Sequence, residues 1–187
     1  MSGNEQEGIE LSHNTGTSGN QVLGNYVGTN INGTNSADYT ANVGYGIHIE
    51  DGANNSIVRG NVVGNNRRGG INIAGAYSVN NQITNNRIGI SLNGTAIPNG
   101  MFGIQIMLNA RDQVIGPGNI IANHNVGIRI TTNASDRNRI TQNSIFANRN
   151  LGIDLWPQGV TLNNSVGHTG PNQNLNFPVL TSVTTSQ

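Results

Sequence analysis

The chain has nine acidic residues among 187, so the search for paired carboxylates is short. Asp112 lies nine residues after Gly103, and Asp136 nine after Gly127, and both glycines open the same four-residue pattern. If those glycines stack one above the other, the two carboxyls come to about 5 Å of each other. That is the separation at which a retaining glycosidase uses one carboxyl as nucleophile and the other as proton donor. The competing reading is a surface ion ladder with Arg111, Arg137 and Arg139, which would contribute little energetically. His48, with Glu50 and Asp51 close in sequence, is either an acid–base cluster or an exposed corner. These are the candidate catalytic residues, with Asp154 beside His48 as the second line.

The pattern that would position them is Gly-Ile-x-Ile or a close variant, written six times from Gly8, Gly46, Gly70, Gly103, Gly127 and Gly152. Apolar, polar, apolar after a glycine is a short strand with one buried face. The x residues then form an outward column: Glu10, His48, Asn72, Gln105, Arg129 and Asp154. Hydrogen-bonding groups at strand spacing are what a polysaccharide could lie along, although any solvated strand face must also be polar. Glu10, Asn72, Gln105 and Arg129 are therefore candidate substrate-binding residues. Trp156 joins them, either stacking on a sugar ring or packing under the tail. Tyr45 and Phe102, each two residues before an inward Ile, are predicted to point into the core.

The last four glycines, at 70, 103, 127 and 152, give a basic period of about 24 residues, lengthened once by an insertion, and a fixed period in this range means a stacked repeat. Between them runs a second unit, as in Asn81-Gln82-Ile83-Thr84-Asn85-Asn86-Arg87-Ile88-Gly89, with two β-branched pairs around an Asn-Asn or Gly-Asn corner. Each period thus holds three short strands and three turns, without helical spacing. The chain is all-β, a parallel β-helix of about six coils. On these Asn-x-Ile-x-Gly-Asn and Gly-Ile-x-Ile units it resembles the right-handed parallel β-helix repeat proteins, the superfamily that includes pectate lyases, polygalacturonases and modules of large secreted bacterial surface proteins. The resemblance covers roughly residues 8 to 155 and implies the fold much more than the chemistry. The calcium-holding acidic cluster of pectate lyases, the Gly-His-Gly unit of polygalacturonases and the Asp-Pro-His unit of alginate epimerases are absent.

The β-helix is expected over 1–156, with 157–187 as a loop and a capping or interface tail of the same domain. Two insertions, 29–45 and 90–102, align with each other and should leave one corner two coils apart, where such loops build the walls of a cleft. Asparagine is the surplus residue, 34 of 187. Asn25, Asn61, Asn86, Asn119 and Asn143 are expected to stack as one amide ladder along the axis, and Asn66, Asn123 and Asn148 as another. The first coil lacks a recognisable capping helix and leaves sheet edges that invite a cap or a partner.

Composition narrows the partners. The chain has nine arginines, no lysine and no net charge, so the basic stripe that nucleic acid requires is missing. There is no cysteine, hence neither disulfide nor thiolate metal site, and no metal or other cofactor is expected. No apolar run is long enough to cross a bilayer and no signal peptide is recognisable, which suggests a piece of a longer protein. The reading that follows is a secreted or cell-surface bacterial protein directed at carbohydrate. It would bind glycosides and hydrolyse them through the stacked carboxylates. The alternative is a non-catalytic structural or adhesive segment. A homo-oligomer joined through the uncapped ends or the tail is the expected protein partner.

Overall fold

A computed structural model describes residues 1–12, 16–34, 41–163, 165–166, 169–175 and 182. Among these the chain forms sixteen strands in three parallel sheets. The six-stranded sheet stacks β1 (Ile9–Leu11), β4 (Tyr45–Ile49), β7 (Gly69–Ala74), β10 (Phe102–Met107), β13 (Val126–Ile130) and β16 (Ile153–Leu155). A second sheet stacks β2 (Gln21–Leu23), β5 (Ile57–Arg59), β8 (Gln82–Thr84), β11 (Val114–Ile115) and β14 (Arg139–Ile140). The third stacks β3 (Tyr26–Val27), β6 (Val62–Val63), β9 (Arg87–Ile88), β12 (Ile120–Ala122) and β15 (Ser144–Phe146). Each of the first five coils contributes one strand to each sheet and the sixth adds β16 alone, and the fold is the right-handed parallel β-helix expected from the repeats.

Register follows the pattern residue by residue. Ile9, Ile47, Ile71, Ile104, Ile128 and Ile153 are successive partners. The inward Ile and Val side chains fill one continuous core along the axis.

The repeat glycine has a steric cause. A Cβ on Gly46 would lie 2.6 Å from Val63 and from the amide of Asn66, and one on Gly103 would lie 2.5 Å from Ile121. The glycine therefore faces inward, as the following Ile does, and the two-residue alternation slips there. This slip turns the preceding residue outward. Tyr45 and Phe102 accordingly do not enter the core. Both are buried but stand apart from the Ile/Val column, against arginines on the outer face.

Three corner ladders tie the coils together. In the first, Asn25, Asn61, Asn86, Asn119 and Asn143 bond in sequence, as expected. The second runs Asn4, Asn42, Asn66, Asn99, His124 and Asn148. It corrects the expected Asn123: that residue takes a left-handed backbone, φ 67°, and its amide donates to Gly89 O instead. The third, not foreseen, links Ser56, Asn81, Gln113, Asn138 and Asn172.

Both insertions follow a third-sheet strand, β3 or β9, and each carries a rung of the second ladder, Asn42 or Asn99. The chain can thus lengthen without losing register. Residues 90–97 do not stand up as a cleft wall. They fold back, with Ile97 fully buried and its carbonyl accepting from Asn65 N. The expected wall at 35–40 lies outside the described residues.

At the C-terminal end, the short 3-10 helix Pro171–Asn174 returns onto the last coil. Asn172 N donates to Ser135 O at 3.1 Å. The rest of that end is an apolar cavity of about 430 Å³ lined by Leu151, Ile153, Leu155, Val160 and Leu175 among others. The apolar piece 176–180 of the expected tail lies outside the described residues. Among the described residues no helix is long and apolar enough to cross a membrane.

Candidate functional site

The outer face of the six-stranded sheet carries the expected column. Glu10, His48, Asn72, Gln105, Arg129 and Asp154 are successive partners across its strands. Only Glu10 is exposed. His48 is 9% exposed, Asn72 1%, Gln105 8% and Asp154 1%, where a solvated face was expected. The residues turned outward by the glycine slip do the covering. The Tyr45 ring lies tilted against the His48 ring, 5.2 Å between centroids, and Tyr45 donates its hydroxyl to Gln105 Oε1 at 3.3 Å. Arg68 lies over the Tyr45 ring, 4.6 Å from its centroid. Further along, the Arg129 guanidinium lies 5.2 Å from the Phe102 ring and 5.3 Å from Trp156. Cations over aromatic faces are held in place this way.

Polar satisfaction in the column is incomplete. His48 Nε2, Asn72 Oδ1 and Arg129 Nε are buried without a hydrogen-bond partner. His48 Nε2 is 3.4 Å from Glu50 Oε2 and Nδ1 is 3.9 Å from Glu7. Burial nevertheless lowers its pKa, against the pull of Glu7 and Glu10. Glu10 is shifted the other way, raised by burial and by its hydrogen bond to Glu50. His48 therefore gathers Glu7, Glu10 and Glu50 around it, and Asp51, at a left-handed corner, adds only a weaker electrostatic pull.

The structure does bring Asp112 and Asp136 to one corner of adjacent coils, where Asp112 N donates to Asp136 O at 3.1 Å. Their carboxyls, however, turn to other partners. Arg137 grips Asp112 with two bonds, Nε to Oδ1 at 2.6 Å and a terminal nitrogen to Oδ2 at 2.8 Å. Arg111 Nε is 3.6 Å away. The Arg137 hydrogen bond holds the Asp112 carboxyl below its usual range, so it has no proton to deliver at neutral pH. Asp136 Oδ1 accepts from Gln173 N of the returning tail, at 3.2 Å. This is the ion-ladder arrangement rather than a free acid pair.

Trp156 leaves the last strand 45% exposed. Its ring is one wall of a groove of about 510 Å³ shared with Asn109, Thr131, Thr132 and Asn133. The Thr132 hydroxyl accepts from Asn109 N at 3.1 Å and fixes that corner. Sequence reasoning marked Trp156 but not these partners. They become neighbours only because the six-stranded sheet ends at one corner in every coil.

His124 was also missed. Its imidazole takes an asparagine's place in the second ladder, with Nε2 3.1 Å from the Asn99 amide. Burial lowers its pKa to about 4.

The sequence model of the family described as periplasmic copper-binding protein (NosD) matches residues 1–169. The chain belongs to that family. A search of curated proteins found no match, and neither did one of solved structures.

Copper would have to find its ligands among the residues present. It is bound by imidazole, thiolate and thioether groups. The chain has no cysteine. Among the described residues no three His, Asp or Glu side chains gather to hold a metal ion. His124 spends Nε2 on the ladder, and His48 faces carboxylates. Among the described residues no such cluster is therefore assembled for copper, while His124 Nδ1 is buried without a hydrogen-bond partner and His124 lines one pocket with Met101. His13 and His168 lie outside them.

Proposed function

We propose that this periplasmic-type β-helix binds glycans in the bacterial cell envelope without hydrolysing them. The carrying observation is the Trp156 groove. A half-exposed indole faces amide and hydroxyl groups, with no charged side chain on the groove wall. An aromatic face offers the apolar C–H side of a sugar ring a surface, while neutral hydrogen-bonding groups meet its hydroxyls. Copper binding, named in the family's description, is not proposed for the described residues, because no three of their His, Asp or Glu side chains gather.

Hydrolysis is left out of the proposal because Asp112 is occupied by Arg137 and carries no transferable proton. A purely structural envelope module is the second reading. It is favoured by the depth at which the polar column is covered.

Isothermal titration of cellotriose, chitotriose, maltotriose and mannotriose against the protein and Trp156→Ala tests the reading. We expect at least one trisaccharide to bind, and Trp156→Ala to weaken it at least about tenfold, roughly 1.4 kcal/mol. Trp156→Phe, which keeps a ring over Arg129, should lose less. A folded wild-type protein that binds none of them would overturn the glycan reading and leave the structural one.

A further inference from the structure

We propose that the Trp156 groove is one end of a longer site, whose ligand is an extended, β-linked neutral oligosaccharide lying along the helix axis. Tyr77 is the aromatic platform at the far end, and Leu108 is an apolar step between the two. The extension rests on the glycan reading of the groove.

The groove draws its walls from one turn of three successive coils. That turn follows the six-stranded sheet, whose strands pass in register through Ile73, Ile106, Ile130 and Leu155. Asn109, Thr131 to Ala134 and Trp156 come one to four residues after the last three of these. Tyr77 comes four residues after Ile73, in the same turn one coil further on. Neighbouring turns touch. Gly75 N donates to Met107 O at 3.3 Å, the Arg111 guanidinium donates to Ala76 O, and Val79 bridges Arg111 in parallel. Asn109 N donates to Thr132 Oγ1 at 3.1 Å, and Trp156 N to Ile130 O at 3.0 Å. One edge therefore runs from the coil of β7 to that of β16, three coil steps or about 14 Å at strand spacing.

Two side chains on this edge serve no core. Tyr77 is 75% exposed and Leu108 54%. Leu108 also holds a left-handed backbone, φ 52°. The equivalent positions two and one coils earlier hold Asp51 and Gly75, which tolerate that conformation, whereas a leucine is strained by it. Strain kept at an exposed apolar side chain points to a ligand that covers it.

From Tyr77 to Trp156 the edge presents an aromatic face, an apolar step, amide and hydroxyl groups, and a second aromatic face. Sugar rings can lay their C–H faces on the first and the last, while the neutral groups between meet hydroxyls. One pyranose advances an extended β-linked chain by about the length of one coil, so successive rings keep pace with successive turns. An α-linked, maltose-type chain curves and would leave one of the two aromatic faces.

The experiment titrates the tri- and hexasaccharides of the cello, chito, manno and malto series into the wild-type protein, Tyr77→Ala and Leu108→Gly, with circular dichroism and thermal melts to check folding. Tyr77→Ala trims an exposed ring. Leu108→Gly suits the left-handed backbone, so it keeps the test informative should Tyr77→Ala not fold.

We expect at least one β-linked hexasaccharide to bind about tenfold or more tighter than its trisaccharide. Tyr77→Ala should remove most of that gain and leave trisaccharide binding within about twofold. Leu108→Gly should weaken the hexasaccharide about threefold or more without lowering the melting temperature. A hexasaccharide no tighter than its trisaccharide, while Trp156→Ala still weakens the trisaccharide, would overturn the longer site and leave the groove reading intact. A gain with length that survives Tyr77→Ala would overturn the role of Tyr77, and unchanged hexasaccharide affinity in Leu108→Gly that of Leu108. A gain from maltotriose to maltohexaose as large as in the β-linked series would overturn the extended-chain assignment. Wild-type protein that binds none of these sugars would overturn both this proposal and the glycan reading.

Discussion

His124 is the residue whose surroundings make the firmest demand on the solution behaviour of the protein. It is 3% exposed, and burial lowers its pKa from 6.5 to about 4. The unfolded chain binds a proton there near pH 6.5, whereas the folded chain refuses it until about pH 4. Stability from this group is therefore complete above pH 6.5 and is lost as the pH falls towards 4. The full loss is about 3 kcal/mol. His124→Asn places an ordinary rung at the same point of the ladder and removes the proton linkage. Urea denaturation at about pH 7.5 and about pH 4.5 should show the wild-type protein losing roughly 2–3 kcal/mol more than His124→Asn. Equal losses in the two proteins would mean that the imidazole is not the linked group.

At the scale of elements, the repeat glycine and the asparagine rungs divide the labour of keeping coils in register. Asn86 shows how a rung works. Its Oδ1 accepts from both Asn61 N and the Asn61 amide, and its own amide donates to Val58 O and to Asn119. Asn86→Leu leaves buried polar atoms in two neighbouring coils without partners, at about 1–3 kcal/mol for each group. Gly103→Val adds a side chain where even a Cβ meets Ile121 and the Gly127 carbonyl, an overpacking that costs about 1–3 kcal/mol or more. Both variants should lower the urea midpoint. An unchanged midpoint in either would mean that the corner relaxes freely.

This explains what the sequence made legible. Gly-Ile-x-Ile encodes strand, register and core together, since each repeat imposes the same contacts on the next, and the first ladder follows from the same spacing. The outward turn of Tyr45 and Phe102 was hidden, because a period of two carries no sign of the phase slip at the following glycine. His124 was hidden because its neighbour Asn123 fits the pattern equally well, and only the left-handed backbone at 123 decides between them. The Asp112–Arg137 grip lay beyond spacing as well. Register places both aspartates at one corner, but side-chain length and charge decide which neighbour each one takes.

For the molecule as a whole, a solenoid's stability is a sum over neighbouring coils, so it need not be uniform from end to end. The middle coils are the better sealed. Every residue of β7 is buried, as are the first five of β10. Near the C-terminal end the exposure rises. β14 has no fully buried residue, β15 alternates exposed and half-buried, and Phe146 is 46% exposed. Among the described residues the returning tail holds one corner there, through Asn172 on Asn138 and Ser135, and an apolar cavity lies beside it. Strands with few buried neighbours open locally at low free-energy cost. Amide exchange under native conditions should therefore be slowest at Ile71, Ile73 and Ile104, and about 100-fold faster or more at Ile145 and Phe146. The two outer clamps predict a second feature of that profile. Arg129 between Phe102 and Trp156 ties β10, β13 and the end of β16 across their outer face. Trp156→Ala should therefore speed exchange in β16 and β13 more than in β14 and β15, whose sheets the clamp does not touch. Uniform exchange along the axis would show that the coils unfold as one unit. An equal response of all three sheets to Trp156→Ala would show that the clamp adds nothing beyond the core.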